Sequence, residues 1–475
     1  MTTPTPATRC IEELRAALGA EAVVTDDSEM TRYQTAARYD GGKAAFVARP
    51  RDIDGVSAAV AICRRHGVTL IPQGANTGLV GAGVPDATGS QGILSLDRLA
   101  REIEVDTANR SVSVPAGVLL STLNEELGRH GLAYPIDLGA DPSIGGMVAT
   151  NTGGARFIRY GDVRRSVLGL EVVLADEAGT ILDLGGGLRK NNVGLDLKQL
   201  FIGTGGAYGV VTRVDLEVQP LPRQSATALV VPESRGAVMP LLLAAEAAFG
   251  SDLTSFEGMS GEAIACVFRH IPDTRNPFAP EPVPDYAVLI ELTRSTGEAE
   301  AQDRLAAHLG DFLEQQLEAG AIVNGVTDHP ASLWKIRHSI SEALREEGKV
   351  IGLDISARRG DLEYFRAEAK ALVARDYPWL LVCDFGHCGD GGDHFNLVWP
   401  HRDAPAYDAG VAGLVRKRLY EMLVDRFGGS FSAEHGIGPA NRAYRKSLLA
   451  PARLDLEARL GDLVTQGKLL GRAVG

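Results

Sequence analysis

The residues best suited to chemistry lie in the segment CDFGHCGDGGDHFNLVWP, residues 383–400. The run LLVCDFGH predicts a strand that ends at His387, CGDGGD predicts a turn, and HFNLVW predicts a returning strand. A hairpin of this kind would bring His387 and His394 face to face. His394 and Asn396 are two residues apart, so they share one face of the returning strand.

A second chemical motif, SFSAEHGIG, follows later in the chain and supplies Glu434 and His435. Two imidazoles and a carboxylate would make a three-ligand set that leaves room for water or substrate. That set is typical of a catalytic metal, and Zn²⁺ and Mn²⁺ both accept nitrogen and oxygen ligands. The alternative is a loop whose histidines only form hydrogen bonds.

A helix predicted over residues 333–347, LWKIRHSISEALREE, offers a group for an acidic substrate. Arg337 and Ser341 are four residues apart and therefore project from the same face. Arginine can hold a carboxylate through two parallel hydrogen bonds. A solvated arginine on a surface helix is the alternative.

Glycine is concentrated in three segments next to apolar strands, PQGANTGLVGAG (72–83), PSIGGMVATNTGGARFIRYG (142–161) and IGTGGAYGVVT (202–212). Glycine allows positive φ and close approach of a ligand. Successive exposed N–H groups in such turns bind anions, including pyrophosphate. We therefore expect a cofactor site here rather than three ordinary turns. The expected contacts are Pro72, Gly74, Ala75, Asn76, Thr77, Gly78, Pro142, Ser143, Gly145, Gly146, Ala149, Thr150, Asn151, Gly153, Gly154, Gly209 and Val210.

The common nucleotide-binding fingerprints fail in this sequence. The two partial GxGxxG patterns have Asp86 and Tyr208 where the third glycine should stand, and no GxxxxGK[ST] is present. A Rossmann NAD site or a P-loop therefore has no support.

The elements that must position these residues follow from the hydrophobic pattern. Helices are predicted over 11–19 and 53–66, and from 69 to 220 short β-branched runs alternate with glycine-rich turns. One helix, at about 118–130, interrupts the strands. Strands with few helices favour an α+β domain over a regular βαβ series.

The pattern changes after Pro220 and Pro222, where long helical patterns alternate with apolar strands such as YAVLIEL (286–292). We predict one domain over 1–221, a second over 222–425, and a C-terminal helical segment over 426–475 that packs back on the first domain. The helices predicted in the second domain span 237–248, 297–318, 330–347 and 361–375.

Composition excludes several classes of protein. The 475 residues carry a net charge of −13, which argues against a nucleic-acid-binding role because phosphate contacts need a basic surface. The five cysteines form no CxxC pair, which favours a reducing compartment over a disulfide framework. The N-terminus lacks the apolar core of a signal peptide, and we expect no transmembrane helix. A cytoplasmic location is expected, and peripheral membrane association is compatible with it.

The three glycine-rich segments, with NNVGLDLKQLFIG (191–203), resemble the FAD-binding domain of the vanillyl-alcohol oxidase and p-cresol methylhydroxylase superfamily. The resemblance spans about residues 45–440. It implies FAD held between two α+β subdomains, the PCMH-type arrangement, capped by an α+β substrate domain. Some members attach the flavin through His or Cys, and since the first segment has neither, we expect non-covalent FAD.

The C-terminal motifs are similar to those of the branch that contains D-2-hydroxyglutarate dehydrogenase, D-lactate dehydrogenase and the glycolate oxidase flavin subunit. That branch has Gly-His-x-Gly-Asp-Gly-Asn-x-His-x-Asn, which this chain matches over residues 386–396 except at Gly392. Its Ala-Glu-His-Gly motif is matched over 433–436. The match implies that His387, His394 and Glu434 are metal ligands. It further implies that His435 is the general base and a substrate contact, and that Asn396 binds substrate. Relatives in the hydroxyglutarate branch also carry Arg and then Thr or Ser at the spacing of Arg337 and Ser341, which implies that these two residues bind substrate.

Three departures from this branch concern binding groups. Gly205 stands where relatives carry a glutamate, in Thr-Gly-Gly-Ala-Tyr-Gly in place of Ser-Glu-Gly-Thr-Leu-Gly. Gly352 stands where hydroxyglutarate enzymes carry a lysine, and Asn441 occupies a position that is often lysine. The second carboxylate of hydroxyglutarate would therefore need another partner.

The resemblance implies an FAD-dependent, metal-assisted dehydrogenase that oxidises a D-2-hydroxy acid to the 2-oxo acid by hydride transfer to flavin N5. D-2-hydroxyglutarate is the first candidate substrate, and D-lactate or a related acid is the next. An electron-transfer flavoprotein, a quinone or a cytochrome would accept the electrons, and a homodimer is compatible with the sequence. The alternatives are a phenol or sugar oxidase of the same fold and a non-catalytic flavin subunit of a larger complex.

Overall fold

A computed structural model describes residues 6–39, 41–296 and 302–473. The helices are α1 (Pro6–Leu18), α2 (Asp27–Gln34), α3 (Ile53–Arg65), α4 (Leu120–Arg129), α5 (Ile144–Thr150), α6 (Phe157–Tyr160), α7 (Val163–Ser166), α8 (Val238–Phe249), α9 (Gly261–His270), α10 (Gln302–Glu318), α11 (Pro330–Glu347), α12 (Leu362–Asp376), α13 (Ala409–Phe427), α14 (Gly438–Leu448) and α15 (Pro451–Thr465). The strands are β1 (Val23–Val24), β2 (Ala44–Ala48), β3 (Leu70–Gln73), β4 (Gln91–Ser95), β5 (Glu104–Asp106), β6 (Ser111–Pro115), β7 (Leu132–Ala133), β8 (Val167–Leu174), β9 (Ile181–Asp183), β10 (Gly209–Glu217), β11 (Gln219–Pro220), β12 (Gln224–Pro232), β13 (Leu253–Ser260), β14 (Tyr286–Arg294), β15 (Ile322–Thr327), β16 (Gly348–Ile351), β17 (Asp354–Ser356), β18 (Leu381–Gly386) and β19 (Gly392–Pro400).

These elements form two compact units. The first comprises the described residues within Met1–Gly153, Asp162–Pro220 and Glu434–Gly475, and the second comprises those within Gly154–Gly161 and Leu221–Ala433. Along the chain, the second unit is inserted into the first. The first unit therefore contains N-terminal and C-terminal residues. Within the described residues, no helix is long and apolar enough to cross a membrane.

The first unit contains a small sheet with the strand order β1-β2-β4-β3, in which β2, β4 and β3 run parallel. Helix α3 makes the crossover that a parallel pair requires. Its first turn is capped by Asp52, whose side chain accepts a hydrogen bond from Gly55 N at 2.8 Å. The helix buries Val56 and Val60 against this sheet, so the crossover also closes the core.

A second sheet of the first unit is antiparallel, with the order β5-β6-β10-β8-β9. Along β10 the burial alternates, because Val214 and Leu216 face the core while Arg213 and Asp215 lie partly exposed. Helices α4 and α5 cover the apolar face, and Leu123 and Val148 join its core. The sheet thereby supports α5, which belongs to the second glycine-rich segment.

The second unit is built on one antiparallel sheet with the order β15-β12-β14-β13-β18-β19-β16, and β17 pairs with β19 beyond this path. Helices α9 and α11 pack on one face, where Ile264, Ile336 and Leu289 share a core. The tight pair β18–β19 places the predicted histidine hairpin in this sheet.

The α+β class predicted from the sequence is confirmed, and the long predicted helices correspond to α3, α4, α8, α10, α11 and α12. The predicted start of one helix at residue 297 lies outside the described residues. The short helices α5, α6 and α7 were not predicted, since seven or four residues leave too little periodicity to detect. All five cysteines are free and buried.

Candidate active site

The glycine-rich segments contact one another in the first unit, to which the second segment contributes residues 142–153. Gly74 follows β3, and a Cβ atom there would lie 1.9 Å from Ser143 Oγ, so glycine is needed beside the second segment. From the third segment, Gly203 N donates to Val148 O at 3.0 Å and Gly205 N donates to Ala149 O at 2.7 Å. Residues distant in sequence therefore build one region lined by backbone.

Several polar side chains of these segments form hydrogen bonds with neighbouring residues of the protein. Asn76 adopts a left-handed φ of 57° and its Nδ2 donates to Thr35 O at 2.7 Å. Thr150 Oγ1 donates to Gly146 O at 3.0 Å, and Asn151 Nδ2 donates to Asp162 Oδ2 at 2.8 Å. Their side chains thus stabilise the loops, and their assignment as cofactor contacts stays a prediction.

One side of the region is open to solvent at the first glycine-rich segment. Ala75 is exposed, and a Cβ atom at Gly78 would have no described atom within 4 Å. At this position a ligand can therefore approach the backbone. The remaining predicted contacts, Pro72, Thr77, Pro142, Gly145, Gly153, Gly154, Gly209 and Val210, flank these positions along the same segments and stay predictions.

The missing glutamate at position 205 has a steric explanation. Gly205 has a φ of +62°, and a Cβ atom there would lie 2.1 Å from the Cβ atom of Ala473. The C-terminal residues are fixed in place, since Leu470 N donates to Ala207 O at 2.9 Å and Gly471 N donates to Leu70 O at 2.8 Å. Any side chain at 205 would collide with this C-terminal segment.

The predicted histidine hairpin is present in the second unit. Strand β18 ends at Gly386, β19 begins at Gly392, and the imidazole rings of His387 and His394 lie 5.4 Å apart, centroid to centroid. Gly386 has a φ of +150° and lies so close to β19 that a Cβ atom there would lie 3.1 Å from His394 N. The turn therefore needs glycine to bring the two histidines together.

Strand β17 adds a carboxylate that the sequence analysis missed. Asp354 is paired with His394 in the β17–β19 register, and its Oδ1 lies 3.8 Å from His394 Nδ1. The backbone N–H of Ala433 donates to Asp354 O at 3.2 Å. Glu434 and His435 are the two residues that come directly after Ala433. Asp354, His394, Glu434 and His435 offer ligand atoms that all lie within 4.8 Å of one another.

The donor set fits a divalent metal ion. Two imidazoles and two carboxylates can supply three or four nitrogen and oxygen ligands. Gly436, with a φ of +83°, follows His435 directly and provides a backbone turn there. Asn441 is buried and its Nδ2 donates to Gly436 O at 3.1 Å, which holds that turn. The structure thus indicates a possible metal site, and the inclusion of His387 in it stays a prediction.

Arg337 is buried rather than solvated, so the surface-helix alternative is wrong. It projects from α11 with 9% of its surface exposed, and its Nε donates to Glu257 Oε2 at 2.8 Å. Its guanidinium carbon lies 4.6 Å from the ring centroid of Phe385, a cation–π arrangement. Ser341, one turn later on α11, is exposed, and its role as a substrate contact stays a prediction.

Glu257 joins Arg337 to the histidine hairpin. It lies in β13 with 1% of its surface exposed, and its Oε1 lies 2.7 Å from His387 Nδ1. Burial by itself would raise the pKa of Glu257, but His387 and Arg337 outweigh burial and lower it. The carboxyl is therefore held in its charged form.

A buried charge network supports the other face of the hairpin. Arg366 donates from Nε to Asp393 Oδ2 at 2.9 Å, and it also lies 3.2 Å from Asp384 Oδ2. Burial raises the pKa of Asp393 to about 6, although Arg366 opposes this shift. Burial would also raise the pKa of Asp384, but Arg366, Arg235 and Lys370 hold it below its usual value. Asn396, also on β19, is buried and donates to His394 O at 3.2 Å.

Sequence reasoning missed Glu257 and Asp354 because each lies on a strand far from the motifs. The available signal was an acidic residue next to apolar ones, Phe256 beside Glu257, and Leu353 and Ile355 beside Asp354. Buried carboxylates are rare unless they are paired, so such a residue in a predicted strand indicates a partner.

Comparisons with known proteins match both parts of the chain. A family described as "FAD binding domain" matches residues 44–185, and one described as "FAD linked oxidases, C-terminal domain" matches residues 221–463. A probable mitochondrial D-2-hydroxyglutarate dehydrogenase of Oryza sativa subsp. indica is 34% identical over 436 residues, which cover 90% of this chain and 74% of that protein. A D-2-hydroxyglutarate dehydrogenase of Stutzerimonas stutzeri (strain A1501) is 32% identical and covers 94% of both chains.

The fold is also that of a solved enzyme structure. The structure of p-cresol methylhydroxylase with substrate bound superposes with a TM-score of 0.73 over 99% of this chain and 96% of that chain, at 17% identity. This likeness shows the PCMH-type fold, and the sequence matches above place the chain more narrowly. The chain belongs to the FAD-linked oxidase family, in the branch with the D-2-hydroxyglutarate dehydrogenases, and is an FAD-linked oxidoreductase acting on a CH–OH group.

Proposed function

We propose that this chain is an FAD-dependent, metal-assisted dehydrogenase that oxidises D-2-hydroxyglutarate, or a closely related D-2-hydroxy acid such as D-lactate, to the 2-oxo acid. The relatives named above support the substrate class. The phenol-oxidase alternative has only the fold in its favour, since the phenol-oxidising neighbour is 17% identical.

One observation carries this proposal. Glu257 bonds to Arg337 through one oxygen and to His387 through the other, at 2.8 and 2.7 Å. A cation that can hold a carboxylate therefore lies next to an imidazole of the metal-binding motif. A 2-hydroxy acid carries its carboxylate and its hydroxyl on adjacent carbons, so it needs two such groups close together.

The residues of this chain then divide the work. Arg337 holds the substrate carboxylate and thereby sets the orientation of C2. A fixed, buried guanidinium is well suited to this role. His435 takes the proton from the substrate hydroxyl as the general base, the role that histidine fills most often in enzymes. The backbone of the glycine-rich segments holds the cofactor without a covalent tether.

The two bound groups supply the remaining chemistry. FAD, which the glycine-rich segments would hold, would supply the acceptor for the hydride from C2 of the substrate. A divalent cation held by His394, Glu434 and Asp354, with His387 as a further proposed ligand, would lower the pKa of the substrate hydroxyl. We propose Zn²⁺ or Mn²⁺, because the donor set contains only nitrogen and oxygen atoms.

A screen of D- and L-2-hydroxy acids with an artificial dye acceptor tests the proposal, with and without added Zn²⁺ or Mn²⁺. We expect the highest kcat/KM with D-2-hydroxyglutarate and no turnover of its L enantiomer. A preference for D-lactate would move the assignment within the class, in keeping with Gly352 at the lysine position. Turnover of phenols or sugars alone would overturn the proposal, and so would an inactive, FAD-loaded chain.

We further propose that the electron acceptor of this enzyme is an electron-transfer flavoprotein, a quinone or a cytochrome rather than a nicotinamide. The missing Rossmann fingerprint supports this choice. The cytoplasmic location and the homodimer stay predictions.

A further inference from the structure

We propose that Glu257 is a positioning residue that sets the orientation of His387 and of Arg337 at the same time. The inference rests on the proposed function for the roles of those two residues. Glu257 itself belongs to neither of the sequence motifs from which the site was predicted.

The geometry gives each oxygen of Glu257 one partner. Oε1 lies 2.7 Å from His387 Nδ1, and Oε2 accepts from Arg337 Nε at 2.8 Å. Glu257 lies on β13 next to β18, and Gly258 and Met259 pair with Gly386 and Phe385 in the register of the sheet. The strand pairing that holds Glu257 is therefore the same pairing that fixes the start of the hairpin turn.

The contact with Glu257 decides which nitrogen of His387 can bind a metal. Glu257 forms an ion pair with Arg337 at 2.8 Å, and a carboxylate in such a pair only accepts hydrogen bonds, so the proton of the contact with His387 lies on Nδ1. In the neutral imidazole the lone pair then lies on Nε2. Carboxylates that fix the tautomer of a metal-binding histidine in this way are a recurring feature of metal sites.

The contact with Arg337 fixes the other half of the site. Arg337 is held through Nε on one side and by the ring of Phe385, 4.6 Å from the guanidinium carbon, on one face. Because the guanidinium is planar, these two contacts leave it little freedom to rotate. The edge formed by its Nη atoms is then the edge that a substrate carboxylate would meet.

The substitution Glu257→Gln separates positioning from packing, because glutamine has nearly the same shape. One end of its amide donates, so it cannot accept from both partners. Arg337 can only donate, whereas His387 can change its tautomer. The amide oxygen should therefore stay with Arg337, and the amide N–H should move the proton of His387 to Nε2.

The first readout is metal affinity, which does not require turnover. Zn²⁺ or Mn²⁺ is titrated into the FAD-containing protein after metal removal, and we expect Glu257→Gln to weaken binding by roughly 10–100-fold. Glu291→Gln is the matched control, since Glu291 is buried on the neighbouring strand β14 and binds Arg156 and Trp334 instead. Wild-type affinity in Glu257→Gln, or equal weakening in both variants, would overturn the inference.

A double-mutant comparison tests whether Glu257 affects metal affinity through His387. In a His387→Ala background, Glu257→Gln should cause no further loss of metal affinity, because the coupling is expected to pass through His387. A full additional loss would show that Glu257 acts by another route, and the positioning role would be wrong.

A measurement on the unmodified chain covers the case in which Glu257→Gln does not fold. A long-range ¹H–¹⁵N spectrum of the metal-free, histidine-labelled protein, at a pH where His387 is neutral, should show its proton on Nδ1. His387→Ala identifies the signals. A proton on Nε2 would overturn the inference, even if the chain oxidised a hydroxy acid. Conversely, an inactive chain with the proton on Nδ1 would contradict only the proposed function.

Discussion

The glycine-rich region of the first unit and the hairpin region of the second unit hold their functional groups by opposite means. In the first, backbone segments approach so closely that Gly74 and Gly205 have no room for a Cβ atom. In the second, buried charges such as Glu257, Asp384 and Arg366 hold the strands and the histidines. Adding atoms should therefore disrupt the structure of the first region, and removing a charge should disrupt the structure of the second.

The largest expected effect tests the chemistry of the hairpin region. His435→Ala should slow flavin reduction by roughly 10²–10⁴-fold, since it removes the proposed base, while the metal and FAD stay bound. Anaerobic rapid-mixing kinetics beside elemental analysis measures both properties.

The matched variant His394→Ala should lose the metal as well as the activity, because of the two histidines in the cluster we assign His394 as a ligand and His435 as the base. A His435→Ala protein without metal would show that His435 is a ligand rather than a base. The separation of base and ligand in this region would then be wrong.

A charge deep in the second unit should contribute most to stability. Asp384→Asn leaves Arg366, Arg235 and Lys370 without a shared anion and should lower the free energy of unfolding by about 3–5 kcal/mol. Because the folded pKa of Asp384 lies below its usual value, this contribution is present at neutral pH. It is lost as the pH falls below about 4, where the unfolded chain takes up the proton.

Denaturant titrations at several pH values measure this difference. Asp376→Asn is the control, since Asp376 pairs with Arg375 and Arg418 at the surface and should matter little. A wild-type advantage that grew on acidification would contradict the assigned direction of the pKa shift.

Arg337→Ala should have an intermediate effect on substrate binding, and it also leaves buried Glu257 with His387 as its remaining partner. Loss of a charge-assisted hydrogen bond to the carboxylate should cost about 1.5–3 kcal/mol of substrate binding, with FAD retained. Arg345→Ala, an exposed position on the same helix, is the control for steady-state kinetics. Unchanged Michaelis constants for every active substrate would remove Arg337 from the substrate site.

The smallest effect tests the first region by adding one methyl group. Gly205→Ala should cost about 1–3 kcal/mol of stability because of the clash with Ala473, beyond the cost of its left-handed φ. Gly467→Ala controls for backbone strain, since Gly467 has a φ of +77° and a Cβ atom there would have no described neighbour within 4 Å.

The thermal unfolding temperature and the FAD content should both return toward the wild-type values in the double variant Gly205→Ala/Ala473→Gly. If the second substitution restored nothing, the contact between the third glycine-rich segment and the C-terminal segment would not be the cause.

The two regions also differ in how far the sequence could predict them. The glycine-rich segments and the histidine hairpin are local patterns, so their elements could be predicted from spacing and turn residues. Glu257 and Asp354 reach the site through strand pairing with β18 and β19, and no local pattern encodes which strands become neighbours. The burial of Arg337 depends on the same long-range pairing, which explains why the sequence alone left its environment open.

The central claim is that a metal-assisted site oxidises a D-2-hydroxy acid with FAD as acceptor. Anaerobic mixing of the FAD-loaded enzyme with D-2-hydroxyglutarate, before and after metal removal and again after reloading, tests it most directly. We predict rapid loss of the oxidised-flavin absorbance with metal, slow loss without it, and recovery on reloading with Zn²⁺ or Mn²⁺. Equal rates in all three states, or no flavin reduction by any D-2-hydroxy acid, would contradict the account.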